Sequence, residues 1–296
     1  MNNQQTAKGI LYALGAYLIW GFAPIYFKTI QQVPPDEIVS HRVIWSVLFM
    51  VLMLTVTRHW RQVSVVIRQP KTLLLLGITA FTIASNWLTY IWAVNNNHLL
   101  EASLGYFISP LVSVLFGMMF LSERFRRMQW VAVGLAFTGV LIQLWQFGSI
   151  PVIGLYLATT FALYGLIRKK LGVDAQTGML IETIWVFPVA LTYLLFFTHS
   201  PTSNMLDNTL SLNMLLIAAG IITTVPLLLF TAAAAHLRLS TLGFFQYLGP
   251  TLMFLLATLV YGEQIGPDHL ITFGFIWGAL ILFTLDALYT QRRLRK

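Results

Sequence analysis

Ten apolar runs follow one another along the chain, and its lysines and arginines gather at every second join between them. That pattern restricts the fold more than any other feature, because a helix of roughly 20 apolar residues is what the hydrocarbon core of a bilayer accepts. The runs fall at 9–30, 36–57, 72–93, 99–121, 128–145, 150–168, 179–197, 213–235, 239–262 and 269–289. The least regular are the second, which begins with Asp36, Glu37, His41 and Arg42, and the seventh, which carries Glu182 near its start. With 57% hydrophobic and 9% charged residues and a mean hydropathy of +0.76, the chain has no polar stretch long enough for a separate soluble domain. Average soluble domains carry about 25% charged residues, and a soluble core could not hide this much apolar surface. The first run follows Lys8 as a signal peptide's core would, but its length and the lack of a small-x-small cleavage pattern mark it as a retained span.

The charges test the count. Arg58, Arg61, Arg68 and Lys71 join runs 2 and 3, Arg124, Arg126 and Arg127 join 4 and 5, and Arg168, Lys169 and Lys170 join 6 and 7. Arg238 lies between 8 and 9, Lys8 precedes the first run, and Arg292, Arg293, Arg295 and Lys296 follow the last. Of 18 basic residues, only Lys28 and Arg42 fall on the other side, a partition that one missed helix would scramble. The positive-inside rule then places both termini in the cytoplasm, as expected for a multi-pass protein of a bacterial inner membrane. Because the basic residues form short clusters beside apolar runs, the formal charge of +8 reads as topology and not as a nucleic-acid surface. Cysteine is absent, which excludes disulfides, thiolate metal sites and a cysteine nucleophile.

An internal repeat appears next. Ser103-Leu104-Gly105-Tyr106-Phe107 resembles Thr241-Leu242-Gly243-Phe244-Phe245 at an offset of 138. Beyond an apparent two-residue insertion, Pro110, Leu115, Glu123 and Gly134 match Pro250, Leu255, Glu263 and Gly274 at an offset of 140, as Ile44-Trp45 match Ile184-Trp185. Their common order suggests a duplicated five-helix unit with halves at 1–147 and 148–296. Five being odd, the second copy enters the membrane from the opposite face, the inverted-topology repeat of many secondary transporters. The expected fold is all-α, a polytopic membrane protein of ten transmembrane helices in two inverted five-helix repeats.

With these features in view, the chain resembles the EamA-type carriers of the drug/metabolite transporter superfamily, and most closely the RarD proteins. In the first half the resemblance is carried by Ser40-His41-Arg42-Val43-Ile44-Trp45-Ser46, by Glu101 through Phe107, and by Pro110 through Gly117 with Phe120, Glu123, Arg124, Arg126, Arg127, Gln129 and Trp130. In the second half it is carried by Gln176-Thr177-Gly178-Met179-Leu180-Ile181-Glu182-Thr183 and by Leu239 through Tyr247 with Gly249-Pro250. It spans essentially the whole chain. The resemblance implies export or import of amino acids, drugs or metabolites, and the RarD label connects to chloramphenicol sensitivity.

Charges at membrane depth cost about 2.5–3.5 kcal/mol on insertion scales, so they usually line a polar cavity or find partners. Arg42 lies about two turns into the second run and Glu101 opens the fourth on the same face; the two are expected to pair or to bind a zwitterion or organic anion jointly. The alternatives are an interfacial arginine whose stem snorkels and a carboxylate that favours its own helix N-terminus. Glu182 stands at the position equivalent to Arg42 in the second copy, near the opposite face. His41, Glu101 and Glu182 are the candidates for proton coupling. Glu123 and Asp286, near arginines, read as structural pairs. Asn86 and Tyr90 share one helical face and, with Trp45, Tyr106, Gln246 and Tyr247, complete a candidate polar and aromatic cavity. Trp87 and Trp92 suit either the cavity or an interfacial belt. Pro110, Pro188, Pro226 and Pro250 are expected to interrupt their helices.

A membrane enzyme is the rival class. No His-Glu-x-x-His, no Walker loop and no Gly-x-Ser-x-Gly elbow occurs, only Asp286 could serve an aspartyl pair, and no motif calls for a metal or cofactor. A channel or lipid scramblase would also use a polar interior, but no dense ring of like charges is visible. The sequence therefore points to a carrier whose partners are a small-molecule substrate and the lipid bilayer, moving between two accessible states, and it leaves substrate, direction, coupling ion and oligomeric state open.

Overall fold

The structure, a computed structural model, describes residues 3–96, 98–259 and 267–293. Among the described residues twelve helices form the fold: α1 (Asn3–Thr29), α2 (Pro35–Thr57), α3 (Trp60–Ile67), α4 (Pro70–Asn95), α5 (Leu99–Leu121), α6 (Arg127–Phe147), α7 (Val152–Leu171), α8 (Ala175–Phe196), α9 (Leu210–His236), α10 (Leu239–Gln246), α11 (Leu248–Leu259) and α12 (Pro267–Arg293). Among the described residues ten segments are long and apolar enough to cross a membrane, one for each run in the sequence. Helices are what such segments must form, since lipid offers no partner to a backbone N–H or C=O. The chain is an all-α, multi-pass membrane protein.

Two features lie beyond the run pattern. The short α3 occupies the join that carries Arg58, Arg61 and Arg68, and the ninth run is divided at Tyr247 into α10 and α11. Pro250 explains the division: its missing N–H and its ring exclude a helical bond to the carbonyl four residues back, which belongs to Gln246, the last residue of α10. Pro110, Pro188 and Pro226, in contrast to expectation, lie inside unbroken helices. One lost bond is tolerable there because the surrounding helix bonds persist. Glu263 lies outside the described residues.

The chain forms two compact units, Met1–Trp92 with Leu163–Leu237, and Ala93–Ala162 with Arg238–Lys296. Each draws on both sequence halves. In the first unit α1 packs on α9, α2 lies against both α8 and α9, and α3 rests on α8. The α2–α9 crossing is backbone to backbone, because a Cβ on Gly220 would stand 2.5 Å from the carbonyl carbon of Trp45. Small residues permit such close approach between membrane helices, where packing and not the hydrophobic effect drives association. Beside it, Ser46 Oγ lies 3.2 Å from the Gly220 carbonyl and accepts the Thr224 hydroxyl at 2.7 Å. Arg42, one turn before Ser46, is thereby fixed against α9.

In the second unit α6 packs on α12 and α5 on α10. Val114, Ala132, Ala136, Phe244, Ile276 and Phe283 form its core. Two buried amides bridge the same pairs: Gln143 donates to Thr272 Oγ1 at 3.1 Å and Gln246 to Ser113 Oγ at 3.1 Å. Each leaves no amide stranded in an apolar surrounding.

Candidate functional site

The first unit concentrates the charged chemistry. Arg42, half-buried on α2, donates from Nε to Thr223 Oγ1 of α9 at 2.7 Å. Its guanidinium lies 4.6 Å over the Trp87 ring and 5.6 Å from the Phe27 ring. A planar cation on indole is the most favourable arrangement of this kind, worth about 2 kcal/mol when desolvated. Aromatic faces and the Thr223 hydroxyl thus both contact the cation. Trp45, one turn from His41, donates its indole N–H to His41 Nδ1 at 3.3 Å. Since indole can only donate, the ring proton of His41 sits on Nε2, which is buried without a hydrogen-bond acceptor among the described residues. Asn86 is buried and Tyr90 half-buried on α4, beside the Trp87 that carries the cation.

Glu182 is the second centre of this unit. Its Oε1 lies 2.6 Å from Thr79 Oγ1 of α4 and 3.5 Å from Arg168 Nε of α7, and its Oε2 accepts the Tyr164 hydroxyl at 3.2 Å. All four side chains are buried. A narrow cleft reaches this carboxyl, bordered by Val43, Ala80, Tyr164, Met179 and the same Trp87 that stacks on Arg42. At the opening of α2, Asp36 accepts the Tyr193 hydroxyl and buried Glu37 accepts Thr202 Oγ1 at 3.0 Å, which accounts for acids at the start of an irregular run.

The candidates of the second unit have other employment. Glu101 Oε1 accepts the Ile153 N–H at 2.8 Å, at the N-terminus of α7, and its Oε2 lies 3.4 Å from His98 Nδ1. Tyr247 is fully buried and donates to the Phe107 carbonyl at 3.2 Å, while Tyr106 is partly exposed. Glu123, expected to pair with an arginine, instead accepts from Leu239 N at 2.7 Å, Ser240 N at 3.0 Å and Ser240 Oγ at 2.5 Å, capping α10. Asp286 does meet an arginine, Arg126, at 3.2 Å.

Four participants escaped the sequence reading, and a fifth, Trp87, was left open by it. Thr79, Thr223 and Tyr164 are ordinary residues until tertiary contact gives them partners, and Trp87 was as compatible with a belt as with a site. Arg168 was hidden by its neighbours: in a run with Lys169 and Lys170 it reads as topology, yet its side chain is 1% exposed. The signal was the buried Glu182, which needs a cation, and the nearest basic cluster in the chain supplied it. An open furrow of about 480 Å³ also runs between α4 and α8 past Gly77, Ile78, Phe81 and Trp185. It offers no titratable side chain, so its size does not make it the centre of the chemistry.

Comparison with known proteins agrees with this architecture. The EamA-like transporter family matches residues 7–145. Protein RarD of Escherichia coli (strain K12) is 62% identical over 296 residues, covering 100% of both chains. A Vibrio cholerae protein named an uncharacterized transporter is 53% identical over 295 residues, covering 100% of this chain and 98% of its own. A crystal structure of a protein 18% identical in sequence aligns over 100% of both chains with a TM-score of 0.74, a likeness of fold. The chain belongs to the EamA-like transporter family of the drug/metabolite transporter superfamily, close to the RarD proteins.

Proposed function

We propose that this protein is a secondary carrier of a small organic molecule with an anionic or zwitterionic group, working by alternating access in a bacterial inner membrane with both termini cytoplasmic. The observation that carries the reading is Arg42, a cation inside a membrane-spanning helix, resting on Trp87 and Phe27 and bonded to the Thr223 hydroxyl. A guanidinium is the side chain best shaped to grip a carboxylate bidentately, and one lying on aromatic faces beside a cleft is placed to meet such a group. Asn86 would supply hydrogen bonds, and Trp45 and Tyr90 flat walls. Membrane proteins bear the cost of such a charge where substrates or ions pass.

The halves 1–147 and 148–296 are read as inverted copies. Arg42 and Glu182 are 140 residues apart in the chain. Arg42 on α2 bonds a threonine of α9, and Glu182 on α8 bonds a threonine of α4. Since α2 corresponds to α8 and α4 to α9 under that offset, the exchange of partners supports an inverted duplication. Energy would come from a proton gradient or from exchange.

The test has two stages. Metabolite profiles of cells with and without the protein identify the compounds it moves, and labelled counterflow of those compounds is then measured in liposomes. Saturable counterflow is expected, with Arg42→Ala slowing it by roughly 10- to 100-fold, the loss of one charge-assisted contact. Flux without saturation or counterflow means a pore; a folded Arg42→Ala protein with normal counterflow removes Arg42 from the substrate.

A further inference from the structure

We infer that Glu182 is a proton-binding carboxyl and that Arg168 is its internal replacement for the proton, an inference that rests on the carrier reading and names the coupling group within it. The geometry at Thr79 carries the argument. Its hydroxyl lies 2.8 Å from the Leu76 carbonyl and 2.6 Å from Glu182 Oε1. A hydroxyl owns a single hydrogen, so it cannot donate to both acceptors at once. Two arrangements satisfy the site: ionised Glu182 accepts from Thr79, or protonated Glu182 donates to Thr79 Oγ while Thr79 donates to Leu76. The same atoms in the same places serve either state.

Arg168 provides the charge side of the exchange. Its side chain is 1% exposed, its only recorded counter-charge is Glu182 at 3.5 Å, and Nε, Nη1 and Nη2 find no hydrogen-bond acceptor among the described residues. Well-formed arginine–carboxylate pairs are shorter and forked; this one is loose. The guanidinium occupies space over Gly178 that a Cβ there would fill. Gly178 lies in the first turns of α8, near the positive end of that helix dipole, so the Glu182 carboxylate supplies the negative charge that offsets the cation there.

A proton arriving from water forms an O–H bond on Glu182 and cancels that charge. Arg168 then keeps its own charge with no counter-ion. Standing in the last turn of α7 beside Lys169 and Lys170, it can extend its stem toward the polar boundary. Loss of the proton draws it back over Gly178. The titratable groups against Glu182 are Arg168 and Tyr164, both from α7; α4 presents Thr79, and in the cleft α2 presents Val43 and α9 Leu227. Trp87 borders the same cleft and carries Arg42 on its face, giving the proton site and the cation site one shared wall.

The probe is the proton alone. Infrared difference titration of the full-length protein, labelled with carboxyl-¹³C glutamate in phosphatidylethanolamine–phosphatidylglycerol liposomes, reads the carboxylic C=O stretch of glutamates. A band that forms on acidification and disappears again on return to alkaline pH is expected, with loss of the band in Glu182→Gln. Thr79→Val should move its frequency, and in Gly178→Ala, whose methyl excludes the guanidinium, the band should persist where the wild type has lost it. If no such band forms in the labelled wild type, or if it is unchanged in Glu182→Gln or Thr79→Val, the pair is a fixed structural bridge and the inference fails. Should Glu182→Gln not fold, the wild-type, Thr79→Val and Gly178→Ala spectra still decide. Missing counterflow strikes the carrier reading, whereas a missing band strikes only this inference.

Discussion

The acids of the two units meet opposite needs. In the second unit Glu101 and Glu123 sit at the two ends of α5 and accept backbone N–H groups at the starts of α7 and α10. In the first, Glu182 stands within α8 and meets side chains, Thr79, Tyr164 and Arg168 among the described residues. Helix starts have unpaired N–H donors and a positive dipole end, so a carboxylate there is stabilised by architecture. Mid-helix backbone is already bonded, so a charge there must be satisfied by side chains that can also change partner. Position along the helix thus separates acids that hold the protein together from one suited to exchange.

The contrast can be broken at the frame first. Gly220→Leu should have the largest effect, because its side chain would enter the α2–α9 crossing against Trp45; a loss of about 3 kcal/mol or more is expected, read as a lowered unfolding midpoint or failed purification. Next, Glu123→Ala removes three hydrogen bonds and the α10 cap. Roughly 2 kcal/mol of stability should go while transport per folded molecule stays near wild type. Lost transport with intact stability would place Glu123 among the exchanging groups.

Arg42→Lys tests the other region. It keeps the charge but not the plane that lies on Trp87, so transport should fall by about 10-fold with little change in thermal stability. The smallest effect belongs to Glu101→Gln. The amide oxygen can still accept from Ile153 N, and what is lost is the charge beside His98 and the charge–dipole attraction, the latter about 0.3–1 kcal/mol; an abolished transport rate would reassign Glu101 to coupling.

Much of the frame was legible along the chain, because each span is decided locally by its own apolar length. All ten runs became helices, and even the break at Tyr247 follows from Pro250. The other prolines were misjudged because a single missing bond does not end a helix whose other bonds survive. The candidate site was half legible. Arg42 and Glu182 announce themselves as charges in apolar runs, and Glu101 looked equally suited, but a helix-opening carboxylate finds its first partner in backbone N–H.

The chain by itself determined how many times it crosses a membrane and which family it resembles, because transfer of each segment into lipid depends on that segment's own side chains. Only tertiary structure decided who answers each charge. Thr223 stands 181 residues from Arg42 and Thr79 stands 103 from Glu182. Such pairings depend on where helices cross and where a side chain finds room, and the missing side chains at Gly220, under the α2–α9 crossing, and at Gly178, under the Arg168 guanidinium, settle this as much as anything the sequence displays as charge.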